Sequence, residues 1–333
     1  MENPRPAVQV ATAGEALIDL VRGSDGSLQP CAGGAVYNFS RALAAQGVVT
    51  AYLNPLSSDA FGRQLARGLL EAGVALAGGP AVREPTSLAI VGVDSQGQPA
   101  YSFYREGVAD RAVDAATLMA ECDSLPQLQA VCTGCLALVP EDAARYLPWL
   151  QACRASGKLV VVDANLRPGT TDDIAAYRAN VRAALALADV IKVSDEDVVA
   201  LMPGTSDPLT AAREFFSLGP AQCVAFTRGG RGAVLLGRDG REWHARDRAE
   251  LQIVDTVGAG DCFLAGLVAG LLSLATDEPP WAGGELPDPL ARRALARAVA
   301  SASHCVQQRG CVPPRLAELD AVLMRGTVEV EAR

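Results

Sequence analysis

Short apolar stretches alternate with amphipathic ones along most of the chain, and this alternation constrains the fold more than any other feature. The pattern opens with a strand, a helix with apolar residues at helical spacing, and a second strand, over residues 8–14, 36–47 and 48–53. Later apolar strands are expected at residues 130–133, 159–162, 190–193 and 223–227. Strands that alternate with helices pack as a parallel sheet covered by helices. We therefore predict an α/β fold with a mainly parallel central sheet.

One hairpin interrupts this alternation. Residues 87–93 and 100–105 are predicted strands on either side of a turn at residues 94–98. The second strand contains Tyr101, Phe103 and Tyr104, although only 5% of the chain is aromatic. A hairpin that packs on nothing is marginally stable, so this one must lie on another surface. We interpret it as part of a lid; a plain edge hairpin is the alternative.

The remainder of the chain shows no repeat, low-complexity tract or linker. We therefore expect one α/β domain over residues 1–333, with a lid formed by about residues 15–32 and 86–111 inserted in it. An antiparallel hairpin at residues 233–245 is predicted at the edge of the sheet. A loop rich in proline and glycine, at residues 279–289, precedes closing helices at residues 290–308 and 314–324.

Charge and cysteine usage exclude several classes of function. A net charge of −9 without a basic run argues against nucleic acid or anionic membrane as the main partner. No apolar run reaches the ~20 residues that a membrane helix needs, and Met1–Pro6 does not have the form of a signal peptide. Nine cysteines in mostly apolar segments indicate reduced thiols, and the single Cys132-x-x-Cys135 pair does not predict a zinc site. We expect a cytoplasmic protein.

A turn with two glycines, Asp255–Asp261, precedes a long apolar helix. Small residues at 258–260 let backbone amides point inward, and the positive end of the following helix adds to their attraction for an anion. Asp261 places a carboxylate at the edge of this pocket. A base beside an anion cradle suits the transfer of a phosphoryl group to a hydroxyl. The alternative is that Asp261 is an ordinary helix cap.

Polar side chains follow two of the predicted strands. Asp163, Asn165 and Arg167 alternate after one strand, and Ser194–Asp197 follows the next. Ligands bind at the carboxyl ends of strands in open parallel sheets. The chain has neither the glycine–lysine loop of P-loop enzymes nor the glycine fingerprint of dinucleotide enzymes, and it has two histidines. Carboxylates, arginines and backbone amides remain, and phosphoryl transfer to an alcohol requires these groups.

These motifs together resemble the ribokinase-like (PfkB) carbohydrate kinases over nearly the whole chain. The amino-terminal signature corresponds to Gly33–Asn38 and the carboxy-terminal one to Asp255–Asp261, in the same order as in the family. Weaker matches are Gly14-Glu15 with Asp19, Asp163 with Asn165 and Arg167, and Thr227–Gly232. The resemblance implies a ribokinase-like three-layer α/β/α fold with a small β lid. It also implies ATP-dependent transfer of a phosphoryl group to a sugar hydroxyl.

The resemblance assigns a role to each matched position. Asp261 would be the base that accepts the proton of the attacking hydroxyl, and the amides of Gly258, Ala259 and Gly260 would stabilise the transferred phosphate. The residues placed around the sugar are Asp19, Gly33, Gly34, Asn38, Phe103, Arg105, Asn165, Arg167 and Asp261. Those placed along the nucleotide are Lys192, Ser194, Thr227, Gly229, Gly232, Gly258 and Gly260.

The predicted metal site departs from the family pattern. Many relatives have Asn-x-x-Glu where this chain has Ser194-Asp195-Glu196-Asp197. Mg²⁺ held through water by Glu196 or Asp197 is the expectation. A monovalent cation is a further possibility that the resemblance leaves open.

The substrate is predicted from the lid strand. Tyr101–Arg105, Gly14–Asp19 and Lys192–Glu196 resemble the corresponding segments of bacterial fructokinases, so fructose is the expected sugar. The similar 2-keto-3-deoxygluconate kinases place an arginine at the position of Arg105 and are the second choice. Ribokinase, a nucleoside kinase and a non-catalytic sugar sensor of the same fold are further alternatives. Arg105 is expected to bind substrate, with a salt bridge between lid and core as its alternative role. Relatives commonly pair through the lid, so a homodimer is expected.

Overall fold

The computed structural model describes residues 7–23, 25–93, 99–273 and 285–333. The predicted turn at residues 94–98, the amino-terminal residues 1–6 and residues 279–284 of the predicted proline-rich loop lie outside the described residues. The strands are β1 (Val10–Thr12), β2 (Leu17–Arg22), β3 (Leu28–Gly33), β4 (Thr50–Tyr52), β5 (Ala75–Leu76), β6 (Ser87–Val93), β7 (Pro99–Tyr104), β8 (Ala130–Gly134), β9 (Leu159–Asp163), β10 (Val190–Ser194), β11 (Cys223–Thr227), β12 (Ala233–Gly237), β13 (Glu242–Asp247) and β14 (Val328–Ala332).

The α-helices that the structure describes are α1 (Ala35–Ala45), α2 (Ala60–Glu71), α3 (Ala115–Asp123), α4 (Ala143–Ala155), α5 (Ile174–Leu185), α6 (Asp195–Leu201), α7 (Pro208–Arg213), α8 (Ala259–Leu272), α9 (Asp288–Cys305) and α10 (Leu316–Met324). Among these helices, none combines the length and the hydropathy that a bilayer crossing requires.

A ten-stranded sheet forms the centre of the molecule, with the strand order β14-β13-β12-β11-β10-β9-β8-β1-β4-β5. The seven strands from β11 to β5 are parallel, whereas β12, β13 and β14 are added antiparallel. The prediction of a mainly parallel sheet in an α/β fold is confirmed. The predicted hairpin is present, but the prediction that it forms the edge is wrong, because β14 pairs outside β13. In β14, Val328 and Val330 pack against the core while Glu329 and Glu331 are exposed, so the strand has an alternating pattern although the prediction did not include it.

Helices cover both faces of this sheet. Alternate residues of β9 point to opposite sides: Val160 and Val162 join the core under α4 and α5, and Val161 joins the core under α8 and α9. This two-sided burial explains why the central strands are continuous apolar runs. Helix α8 is buried on all sides from Asp261 to Leu272. Its close packing on α9 needs glycine, since a Cβ on Gly266 would lie 2.7 Å from the carbonyl oxygen of Arg297.

A second, four-stranded sheet has the order β3-β2-β6-β7 and forms the lid. Strands β6 and β7 agree with the predicted hairpin to within a residue, whereas β3 was not predicted as a strand. Four of the six residues of β3 are exposed, so apolar alternation does not mark it; pairing with β2 from Leu17↔Gly33 to Arg22↔Leu28 defines it instead. The short elements β5, α3, α6 and α7 were likewise absent from the prediction, because each spans too few turns or pairs for a clear period.

Candidate active site

The amino terminus of α8 offers free backbone amides. Gly258 is the N-cap residue, with φ of 75° in the left-handed region, and no side chain caps the helix. Among the described residues, the amides of Gly258 and Gly260 have no acceptor, while the amide of Ala259 donates to the carbonyl oxygen of Thr256 at 3.2 Å. Uncapped amides at a helix amino terminus attract an anion. The amides of Gly258 and Gly260 can therefore donate to a phosphate. The amide of Ala259 would first have to give up its long hydrogen bond to Thr256.

Asp261 is the third residue of α8 and does not cap it, so the capping alternative is wrong. Its side chain is buried, and its Oδ2 accepts a hydrogen bond from Nδ2 of Asn38 at 2.9 Å. Asp261 lines a cavity of about 10 Å³ together with Thr133 and Asp163, which lie at the carboxyl ends of β8 and β9. The carboxylate thus faces the strand ends where ligands bind in parallel sheets.

Burial sets the protonation behaviour of Asp261. Loss of solvation raises its pKa to about 7, with the nearby Asp163 adding to this effect; the Asn38 hydrogen bond, Lys192 and Arg167 act in the opposite direction. A general base is most effective when its pKa lies near the working pH. The Asp261 carboxyl therefore has the pKa expected of a base that takes a proton near neutrality.

A buried lysine connects the carboxylates to the helix terminus. The Nζ of Lys192, on β10, lies 3.0 Å from Oδ1 of Asp163. The same Nζ would lie 3.2 Å from a Cβ added to Gly260, so the ammonium group lies directly beside the first turn of α8. Burial raises the pKa of Asp163 to about 6, and Lys192 opposes that rise. Lys192 is thus placed to neutralise an anion held at the α8 terminus.

The predicted sugar-binding residues lie where the lid meets α1. Gly33 and Asp19 are on paired strands, and a Cβ on Gly33 would overlap the Asp19 carboxylate. Burial raises the pKa of Asp19 to about 6, and Arg167 opposes the rise. The Oδ1 of Asn38 is buried and has no hydrogen-bond partner among the residues that the structure describes. A buried acceptor that lacks a donor is a place for a ligand hydroxyl.

Glu15 is a site residue that sequence reasoning quoted without giving it a role. It is fully buried, and its Oε1 accepts a hydrogen bond from the backbone amide of Ala35 at 2.9 Å, at the start of α1. Burial raises its pKa to about 7, against the effect of Arg105. A Cβ on Gly34 would lie 2.8 Å from the Glu15 carbonyl oxygen, so the two signatures at residues 14–15 and 33–34 are in contact. In the sequence, the signal available for this buried position was a glutamate placed between apolar residues.

Asn165, Arg167 and Phe103 are the remaining residues predicted to surround the sugar. Asn165 follows β9 in the left-handed region with φ of 36° and is buried. The charge of Arg167 opposes the rise in pKa of both Asp19 and Asp261, so its guanidinium acts electrostatically on both carboxyls. Phe103 packs against Leu17 and its neighbours where the lid contacts the body.

Arg105 is engaged inside the protein. Its Nη2 donates to Oδ2 of Asp110 at 2.8 Å, its Nη1 donates to the Leu136 carbonyl oxygen at 2.9 Å, and Asp142 lies 3.6 Å away. The side chain is 7% exposed. This arrangement matches the salt-bridge alternative given above for Arg105. Contact with substrate stays a prediction for this residue.

The predicted nucleotide segment follows β11. Thr227 ends that strand, and Gly229 and Gly232 both have positive φ, of 52° and 85°. The chain turns tightly here, and Gly232 leaves no room for a Cβ against the Ala245 carbonyl. Ser194, at the end of the adjacent β10, lies directly beside Thr227 in the sheet.

Asp197 and Glu196 differ in their freedom to hold a metal. Asp197 forms a capping box with Ser194, and its other carboxylate oxygen accepts from the Leu166 amide at 2.8 Å. Both oxygens of Asp197 are therefore used in the structure, whereas Glu196 is exposed. The predicted Mg²⁺ site fits Glu196 better than Asp197, since hydrated Mg²⁺ needs a carboxylate that water can reach.

Comparison with known proteins shows the family to which the chain belongs. The profile of the pfkB family carbohydrate kinases matches residues 8–317. A fructokinase of Rhizobium leguminosarum bv. trifolii is 32% identical over 268 residues, which are 79% of each chain, and one of Escherichia coli is 31% identical over 82% of this chain and 88% of its own. The solved fructokinase of Xylella fastidiosa with bound ATP superposes with a TM-score of 0.83 at 24% identity, over 96% of this chain and 99% of its own.

The family match spans the four-stranded sheet, every strand of the central sheet except β14, and the α8 terminus with its buried carboxylate. The ribokinase-like fold expected from the two signatures is confirmed by the superposition. The chain belongs to the pfkB family of carbohydrate kinases.

Proposed function

We propose that this carbohydrate kinase transfers the γ-phosphoryl group of ATP to a hydroxyl of fructose. One observation carries the proposal: the buried Asp261 carboxylate, with a pKa of about 7, lies in the first turn of α8, where the amides of Gly258 and Gly260 have no acceptor among the described residues. A base and an anion cradle are thus within one turn of each other. Proton removal and charge stabilisation are the two contributions that phosphoryl transfer to an alcohol needs.

The reaction follows from these positions. Asp261 accepts the proton of the sugar hydroxyl as the bond from that oxygen to the γ-phosphorus forms and the bond from phosphorus to the bridging oxygen of ADP breaks. The amides of Gly258 and Gly260 and the ammonium of Lys192 stabilise the charge on the phosphoryl oxygens. Asp19 and Asn38 accept hydrogen bonds from other sugar hydroxyls and orient the reacting one. Glu196 would hold Mg²⁺ through water, and the ion would supply positive charge that offsets the charge of the nucleotide phosphates.

Two observations favour fructose over a sugar acid. The relatives at 32% and 31% identity are both fructokinases. Arg105, the residue that could bind a sugar-acid carboxylate, already forms ion pairs with Asp110 and Asp142. A third carboxylate at Arg105 would add negative charge to a buried group that is already neutralised, and this is unfavourable.

A coupled assay for ADP release, run with a panel of sugars, tests the proposal. We expect turnover with fructose and a lower kcat/KM with 2-keto-3-deoxygluconate, ribose and nucleosides. Preference for the ketonic acid would overturn the choice of substrate. Sugar binding by calorimetry without turnover on any member of the panel would instead identify a sensor and remove the enzymatic assignment.

The raised pKa of Asp261 predicts a pH dependence. The carboxyl must be deprotonated to act as a base, so kcat/KM should rise about tenfold per pH unit below pH 7 and level off above it. The Asn38 hydrogen bond lowers this pKa, so Asn38→Leu should move the rising limb to higher pH. Profiles of kcat/KM from about pH 5 to about pH 9 cover the expected rising limb and measure both effects. If the rising limb lay at the same pH in the parent protein and in Asn38→Leu, this would contradict the assignment of Asp261 as the base.

We also propose that two copies pair through the lid. The strand register places Leu28 and Tyr104 on the same face of the lid sheet, and they are 47% and 58% exposed. Large apolar side chains exposed on one face of a sheet mark an interaction surface. Sedimentation equilibrium should give twice the chain mass for the parent protein and a lower mass for Tyr104→Lys; a monomeric parent protein would refute the pairing.

A further inference from the structure

Three cysteine thiols meet directly behind the α8 terminus. Cys262 is in the first turns of α8, Cys305 ends α9, and Cys311 is in the segment that follows. Their three sulfur atoms all lie within 4.8 Å of one another, and those of Cys262 and Cys311 are 3.9 Å apart. In the described part of the chain, no other three histidine, cysteine or acidic side chains cluster in this way. Residues 262, 305 and 311 are called the thiol cluster below.

The spacing of the thiol cluster matches that of a metal ligand set. Thiolates bound at about 2.3 Å around one ion in a trigonal plane are about 4.0 Å apart. The observed separation of 3.9 Å between two of the sulfurs meets this requirement, and the 4.8 Å limit on the others leaves less than about 1 Å of adjustment. Small rotations of the side chains can supply such a change.

The number of ligands selects the class of ion. Structural zinc takes four ligands, and the described residues supply no fourth side chain to the thiol cluster. The nearest additional groups are carbonyl oxygens: that of Val257 lies 3.6 Å from the Cys305 sulfur, and that of Gly258 lies 4.0 Å from the Cys311 sulfur. Soft thiolate ligands without hard donors favour Cu(I).

Solvent can reach one side of the thiol cluster. Cys262 and Cys305 are buried, whereas Cys311 is partly exposed and provides an entry path. The thiols are close enough to chelate and open to solvent on one side.

We propose that the thiol cluster binds one Cu(I) ion and that this binding inhibits the kinase. Three sulfur–copper bonds form, three S–H bonds break, and the protons pass to solvent, with no change in the oxidation state of copper or sulfur. A neutral set of thiols thereby becomes a group with two net negative charges. The affinity falls as the pH falls, because protons compete for the sulfurs.

The inhibition follows from where this charge is placed. Cys262 is the residue after Asp261, and Cys311 packs so closely on Gly258 that a Cβ there would overlap its sulfur. Negative charge at this distance weakens phosphate binding at the Gly258 and Gly260 amides. This second half rests on the proposed function, whereas metal binding by the cluster does not.

Anaerobic titration with Cu(I), in competition with the chelator bicinchoninate, tests the binding. The exposed Cys31 is first replaced by Ser to remove an unrelated thiol. We expect one tightly bound ion per chain, and at least about a 100-fold loss of affinity in Cys311→Ser and in Cys305→Ala, since even partners outside the ligand shell cost 10–100-fold. Cys122→Ser is the matched control: Cys122 and Cys153 form a pair 4.0 Å apart outside the cluster, so this variant should keep full affinity.

The outcomes separate the two halves of the proposal. Unchanged affinity in both cluster variants, or loss of binding in Cys122→Ser, would overturn the site. Tight binding of Zn(II) with weak binding of Cu(I) would overturn the choice of ion. For the inhibition, we expect Cu(I) to raise the KM for ATP in the parent protein and leave Cys311→Ser unaffected. Full turnover with bound copper would remove the inhibitory role, while a chain without any sugar kinase activity would still be expected to bind the ion.

Discussion

Replacement of Asp261 by Asn is expected to lower kcat by a factor of about 100 or more, the contribution typical of a positioned general base. The amide has the shape of the carboxylate but does not accept the proton of the hydroxyl. Asn38 donates to Oδ2 of Asp261 at 2.9 Å, and an amide oxygen in the same place can accept that bond. The fold and the sugar affinity should therefore be kept. Steady-state kinetics with fructose, together with a binding isotherm, measure both quantities.

Asp114→Asn is the matched control for this result. Asp114 is an aspartate at the start of a helix, where its Oδ1 accepts from the Thr117 amide at 2.8 Å, and it is a true cap of α3. Asn caps helices about as well as Asp, so kcat and stability should stay at the parent values. If Asp261→Asn turned over fructose as fast as the parent protein, Asp261 would not be the base.

The second large effect is expected from Arg105→Ala, which should lower the free energy of unfolding by about 3–5 kcal/mol. Asp110 is 1% exposed and Arg105 is its ion-pair partner, at 2.8 Å. Removal of the guanidinium leaves a buried carboxylate without a counter-charge and also leaves the Leu136 carbonyl without its donor. Equilibrium unfolding in urea measures the loss.

Arg145→Ala is the control for Arg105→Ala, because it removes a comparable ion pair in which the arginine is more exposed. Arg145 bonds to Oδ1 of Asp142 at 2.7 Å, but its side chain is 29% exposed and Asp142 keeps Arg111. We expect a loss of about 1 kcal/mol or less in this control. The KM for fructose, measured together with the stability of Arg105→Ala, distinguishes the two roles of Arg105. Unchanged stability with a raised KM would indicate that Arg105 binds substrate. A large loss of stability supports the ion-pair role.

Local sequence determined the framework and the positions of the chemistry. The strands from β8 to β11 could be predicted to within a residue because central parallel strands are buried on both faces, and an apolar run records that burial directly. The glycine turn before α8 could be recognised because amides can line an anion pocket only where side chains are small. The two signatures then placed Asn38 and Asp261 in one site, although they are 223 residues apart.

Tertiary structure alone decided the contacts that have no local period. Strand β3 is largely exposed and exists through its pairing with β2, so no apolar pattern marks it. The ion pairs of Arg105, the buried state of Glu15 and the meeting of the three thiols arise from the packing of segments distant in the chain. Sequence sets which side chains are present and which faces are apolar; burial and distance, which fix charge and pKa, exist only once those faces have packed.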